Sequence, residues 1–305
     1  MLISENLSIF NGKPVVDFEP EKGIQTTEEV YRLRLDFDTY EKGKRLEEVL
    51  EQFCNDPKIS EVKELVFGTW GYDDNSKELV KAIVKLKDKL SNLTHLMIGD
   101  ITYEENEMSW IQQSNLTPAI EALPNLMYFC ARGGTRIAFE NLSHPTLQTL
   151  IVQTGGLQSY AVKQILAAKL PELQHLELWT GHENYGFDGK IEDYTPLLTQ
   201  KIFPKLTYMG LRNSYLADEF AIALKDSYLL DQLETLDFSL GALGNMGGQA
   251  IVDNPKIKNL KKLELQAHFM KEELVAQIKS LDLETTIGDA LGEPMDYGRY
   301  AEVGE

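Results

Sequence analysis

Two cysteines in 305 residues, Cys54 and Cys130, are too few and too far apart to frame a disulfide-stapled fold, and no CxxC pair is present to hold zinc. Long apolar runs are also missing. No stretch reaches the roughly 18 consecutive apolar residues that a membrane helix needs, so a membrane partner is not expected. The first residues, Met1-Leu-Ile-Ser-Glu-Asn, place no basic segment before an apolar run and do not read as a secretory signal. Together these features favour a reducing, cytoplasmic setting. Positive charge is scarce: 30 Lys and Arg stand against 48 Asp and Glu, a net charge of −18. Such a chain repels phosphate backbones, which argues against nucleic acid as a partner.

Catalytic and cofactor signatures are missing as well. Neither GxxxxGK[ST] nor GxGxxG occurs, so no phosphate cradle is evident. Asp73, Asp74 and Asn75 lack the rest of a calcium loop. Cys130 has Arg132 and His144 near it in sequence, but no base with an orienting residue can be identified. The chain is therefore expected to be neither an enzyme nor a cofactor binder.

A repeat is present instead. One six-residue pattern recurs: apolar, two variable residues, apolar, one variable, apolar. Leu93-Thr-His-Leu96-Met-Ile98, Leu126-Met-Tyr-Phe129-Cys-Ala131, Leu147-Gln-Thr-Leu150-Ile-Val152 and Leu173-Gln-His-Leu176-Glu-Leu178 are clear copies. Leu206-Thr-Tyr-Met209-Gly-Leu211, Leu233-Glu-Thr-Leu236-Asp-Phe238 and Leu260-Lys-Lys-Leu263-Glu-Leu265 follow. Weaker copies begin at Val30 and Val62, and a shortened one at Ile278. Most intervals fall in or slightly above the roughly 20–29 residues of a strand-plus-helix repeat. Pro124, Pro145, Pro171 and Pro204 each stand two residues before the first leucine of a copy, where proline ends a helix and fixes an extended approach. Helical spacing fills the intervals. Leu79, Ile83, Leu86 and Leu90 share one face between Ser76 and Leu90, and two further sets do the same: Leu157, Ala161, Ile165 and Leu166, then Leu216, Phe220, Ala221 and Leu224.

These copies resemble the leucine-rich repeat family over residues 30–283. The stretch from Leu233 to Ile251 is similar to its ribonuclease-inhibitor-like subtype, in which strands alternate with true helices. The whole chain is similar to a group of bacterial cytoplasmic leucine-rich repeat proteins with a hairpin-like N-terminus and an acidic tail. The resemblance implies an α/β solenoid with a curved parallel sheet on the concave face and helices on the convex face. The sequence departs from the family at the ninth position of each copy, where Asn or Cys is common. Here Trp70, Ile101, Gly134, Gly155, Gly181, Ser214, Gly241 and His268 occupy it.

The chain divides into residues 1–29, 30–283 and 284–305. In the first, Asn11-Gly12 between apolar runs is a hairpin signal, read as an N-terminal cap or a separate binding hairpin. The last is an acidic tail, either disordered or packed by Tyr297 and Tyr300.

Side chains alternate along a strand, so the variable positions of each copy share the concave face. There, His95, Tyr128, Arg132, His175, Glu177, Trp179, Tyr208 and Arg212 form an aromatic and basic patch on an acidic protein. Such residues anchor interfaces. They point to an unidentified protein partner bearing carboxylates, with the covering of sheet surface as the structural alternative. His95 and His175 sit three repeats apart, about 14 Å, too far to share a metal. Two loops combine Trp, Gly, aromatics or His with acids: Trp70 and Tyr72 in one, His182, Tyr185 and Phe187 in the other. The second is expected to overhang the concave rim. Three readings follow: a protein-interaction scaffold, which is preferred, a small-molecule or enzymatic site under the 180–194 loop, and a self-assembling structural protein.

Overall fold

The computed structural model describes residues 3–71, 74–292 and 298–304. Nine strands, from Val30 to Leu265, fall on the hexamers, and a helical segment links most of them to the next. The strands are β1 (Ile9–Phe10), β2 (Lys13–Asp17), β3 (Val30–Leu33), β4 (Glu64–Phe67), β5 (His95–Ile98) and β6 (Tyr128–Arg132). They continue with β7 (Thr149–Gln153), β8 (His175–Gly181), β9 (Tyr208–Ser214), β10 (Thr235–Asp237), β11 (Lys262–Leu265) and β12 (Glu284–Ile287). They pair strictly in chain order within one sheet that does not close on itself. Only β1 and β2 are antiparallel. This nearest-neighbour order, with helical crossovers between most successive parallel strands, is compatible with a repeat solenoid.

The helices are α1 (Phe37–Glu41), α2 (Leu46–Cys54), α3 (Lys77–Lys85), α4 (Thr117–Glu121) and α5 (Ser159–Leu166), then α6 (Thr195–Thr199), α7 (Ala217–Ala223), α8 (Asn245–Asp253) and α9 (Glu272–Lys279). Pro118 and Pro196 open α4 and α6 in the first turn, where a missing N–H costs nothing. The apolar faces expected from spacing meet the sheet: Leu79 and Ile83 of α3, Ala161, Ile165 and Leu166 of α5, and Phe220 and Ala221 of α7 are all buried. With the inward residues of each strand, such as Leu65, Leu96, Phe129, Leu150 and Leu176, they form one continuous core.

Two copies differ from the spacing. Tyr31 lies opposite Leu65 and Leu33 opposite Phe67, so the copy that begins at Val30 is displaced by two residues. Arg32 therefore neighbours Val66, not Glu64, and Val30 takes the place assigned to Arg32. A shift of two preserves which face each side chain occupies, because the strand period is two. The shortened copy at Ile278 is not a strand. Ile278 is the buried face of α9, and the strand follows it, with Glu284 opposite Lys262. One apolar hexamer satisfies both periods, and the longer helical register wins.

A second apolar cluster lies on the helix-free face of the sheet. Val66, Met97, Cys130 and Ile151 line up there, with Val30 in the adjoining row, and they cluster with Phe10, Leu7 and Tyr128. Asn11 and Gly12, at φ of 49° and 76°, make the two-residue turn between β1 and β2. The chain before β1 crosses the helix-free face rather than only its edge. The N–H of Leu7 donates to both carboxylate oxygens of Asp100, and the N–H of Tyr103 donates to the carbonyl of Ile3. Among the described residues, no helix is long and apolar enough to cross a membrane.

Candidate partner-binding surface

Strand register builds the surface. Glu64, His95, Tyr128, Thr149, His175, Tyr208, Thr235, Lys262 and Glu284 stand side by side across β4 to β12 on the helix-free face. Two residues on in each strand runs a second row, which passes from apolar to acidic: Met97, Cys130, Ile151, Glu177, Gly210, Asp237 and Glu264. In a third row Arg132 faces Gln153 and Trp179 faces Arg212. The eight concave-face candidates thus share one face of the sheet. They fall into two groups with different surroundings.

The first group lies beneath the N-terminal segment. Phe10 meets Tyr128 edge-on with ring centroids 5.4 Å apart and His95 at 6.3 Å, and His95 stacks on Tyr128 at 5.5 Å. Burial pushes His95 below its ordinary pKa, and its Nδ1 pairs with the Thr94 hydroxyl at 2.9 Å. Arg132, expected on the concave face as part of a basic patch, lies on that face but is covered. It is 5% exposed, with Nη1 3.6 Å from Asp100 and donating to the Ile101 carbonyl, and Nε donating to Gln153. Asp100 is fully buried and also takes Arg32 at 2.9 Å. Cys130 lies beside them under the same cover. Burial pushes its thiol up to about 12, against the lowering influence of Arg132.

The second group is a polar network around a stacked pair. His175 and Tyr208 lie parallel, 3.8 Å between centroids and 5° between planes. Both rings are partly exposed. The Tyr208 hydroxyl donates to Asp237 at 2.7 Å, and Trp179 Nε1 donates to Glu177 at 2.6 Å. Arg212 bridges the two acids, 3.3 Å from Glu177 and 3.2 Å from Asp237, and lies over the Trp179 ring at 5.3 Å. His175 Nε2 stands 3.6 Å from Glu177, beyond a direct hydrogen bond. Burial raises Glu177, but His175, Arg212 and Trp179 outweigh it and hold the carboxyl below its usual value. For Asp237, burial wins over Arg212 and its hydrogen bonds, and the carboxyl sits above its usual value. Burial works against the Arg212 charge, but Asp237 and Glu177 outweigh it and hold the guanidinium above its usual value. Arg212 is therefore neutralised twice over. The basic patch expected from sequence, and with it the case for a carboxylate-bearing partner, is not formed by Arg132 and Arg212.

Trp179 is a second correction. It is 6% exposed, packed with Met108, Leu240 and Val303. Val303 belongs to the tail, so the tail residues 298–304 lie on the sheet rather than away from it. Tyr300 meets the Phe269 ring edge-on at 5.3 Å. Tyr297 and Tyr72 lie outside the described residues. Trp70 is a core residue, not a surface one: it is 5% exposed among the helix-side residues, and its Nε1 donates to the Asp74 carbonyl. In the second loop, Phe187 is buried, His182 meets Tyr215 edge-on at 4.7 Å, and Asp188 accepts from the Ser159 N–H at the start of α5. Tyr185 lies against Gly156 and Gly304. The residues that sequence reasoning missed are Asp100, Asn213 and Val303. Asp237 stands in the second row, where the repeat register places it. Among the described residues no group of three or more His, Cys, Asp or Glu is placed to hold a metal ion.

No family model and no curated protein matches the chain. Among solved structures, the crystal structure of a Bacteroides fragilis protein, a target of the Northeast Structural Genomics Consortium, superposes with a TM-score of 0.82. The match covers 90% of this chain and 77% of that one, at 30% sequence identity. An open parallel sheet built strand by strand, shared at that identity over that length, places the chain in one family with this Bacteroides fragilis protein.

Proposed function

We propose that the chain is a non-enzymatic protein-interaction scaffold, a leucine-rich repeat solenoid of the ribonuclease-inhibitor-like subtype. The hexamer register and the alternation of strand with helix support the repeat assignment. The relative from Bacteroides fragilis supports a bacterial source. The two buried free thiols suit a reducing, cytoplasmic location.

One observation carries the interaction reading: the His175–Tyr208 stack is well ordered by its contacts yet partly exposed on the helix-free face. Asp237 satisfies the Tyr208 hydroxyl, which leaves the exposed ring edges for a partner. Rigid aromatic area flanked by small polar residues, here Thr149 and Thr235, is the kind of surface that anchors a protein partner. A photo-cross-linking residue at Thr149 or Thr235 is expected to yield a discrete adduct in cell extract. The same residue at Ile222, exposed on α7, is expected to yield none. Equal labelling from both faces, or none from the ladder, would remove the proposal.

A further inference from the structure

The tail shows in cis what the rim of the helix-free face can grip. Residues 298–304 add no strand to the twelve-stranded sheet. They are held at separate points. Arg299 Nη1 pairs with the buried Asp218 at 2.7 Å and donates to the Ala242 carbonyl at 2.7 Å. The N–H of Glu302 donates to the Leu240 carbonyl at 2.8 Å. The Asn213 side chain then clasps both backbone groups of Val303: its Oδ1 accepts from the Val303 N–H at 2.8 Å, and its Nδ2 donates to the Val303 carbonyl. Asn213 is itself fully buried and fixed at a φ of 49°, a left-handed conformation that asparagine tolerates better than most residues. The Val303 side chain is fully buried among Met108, Trp179 and Leu240. Ser109 donates to the Gly304 carbonyl, and a Cβ on Gly304 would overlap the Tyr185 ring.

We infer that this rim is a peptide-binding groove for extended segments of the pattern Arg-Tyr-x-x-Val-Gly, kept filled by the chain's own residues 299–304. The inference rests on the reading of the helix-free face as a partner surface and names one kind of partner. The grip is chemical rather than sequential. A buried carboxylate takes the arginine, an apolar socket takes a β-branched side chain, an amide reads the backbone, and an aromatic wall admits only glycine. Any segment with those groups at that spacing meets the same contacts. A tethered occupant acts at a high effective concentration, so it competes strongly with a partner in trans until it is displaced.

The test uses the full chain and a labelled peptide of residues 298–304, Gly-Arg-Tyr-Ala-Glu-Val-Gly. Val303→Asp puts a charge in the apolar socket and should release the strap. Glu302→Pro, which removes the bond to Leu240, loosens it without adding charge. Both variants are expected to bind the peptide at least tenfold more tightly than the parent chain, and acrylamide should quench Trp179 emission more readily in each. Peptides carrying alanine for Gly304 or aspartate for Val303 should lose binding at least tenfold. Absence of binding to both variants, indifference to the Val and Gly of the peptide, or unchanged quenching would overturn the inference. Cross-linking at Thr149 and Thr235 reads the ladder and peptide binding reads the groove, so failure of the one is distinguishable from failure of the other.

Discussion

At the scale of single residues, burial decides what each polar group can do. Cys130 shows this plainly. Its sequence neighbours suggest an activating cation, but Arg132 is spent on Asp100, and burial under Phe10 leaves the thiol pushed up to about 12. A thiol that stays protonated and covered is a poor nucleophile. Iodoacetamide at pH 7.5 is therefore expected to leave Cys130 unmodified in the native chain and to label it once the chain is denatured. Rapid native labelling would show that the N-terminal segment does not cover Cys130. The fate of the two candidate arginines has the same origin. Sequence shows a cation but not the acid that meets it from 32 residues before Arg132 or 25 after Arg212.

At the scale of elements, the hairpin of β1 and β2 joins the sheet by its backbone and covers it by one side chain. Phe10 is 6% exposed on the helix-free face, while its neighbour Ile9 is 62% exposed. Phe10→Ala is expected to lower unfolding stability by about 3 kcal/mol, as for other buried aromatics. Ile9→Ala should change it by less than about 0.5 kcal/mol. Denaturant midpoints measured on both variants check the contrast, and equal effects would mean that the hairpin lies free. The strands themselves were legible from the hexamers, because apolar residues at the first, fourth and sixth positions, repeated copy after copy, leave few other arrangements, and the prolines mark where helices must stop. What was not legible has a physical reason in each case. The Val30 copy slips by two because either register buries the same face. Ile278 belongs to α9 because its spacing to Leu274 is helical. The cover over Val66, Met97 and Cys130 comes from residues distant in sequence, and no local pattern announces a contact of that kind.

At the scale of the whole molecule, three histidines tie stability to pH. Burial lowers the pKa of His95, His144 and His268. The ring nitrogens explain why a proton is unwelcome. His144 Nδ1 accepts from the Thr146 N–H while Nε2 meets the Leu123 carbonyl, and His268 Nδ1 accepts from the Met270 N–H. In the unfolded chain each titrates near 6.5, so below that value the unfolded state takes up protons that the folded state refuses. Stability contributed by the neutral rings is complete above about pH 6.5 and is lost as pH falls towards their lowered folded values. The denaturant midpoint is expected to drop between pH 7.5 and 5.5, and to drop less in His144→Gln; an unchanged slope in that variant would exclude His144 as a source. Asp100 and Asn213 act at this scale too, for each reaches a segment remote in the chain: Leu7 across 93 residues and Val303 across 90. Arrays whose units touch only their neighbours ordinarily fray from the outermost unit inward. Here both flanks are fastened to interior units, so fraying must first release a distant clasp. Loss should therefore proceed in fewer and larger steps than the stacking of strands alone would suggest.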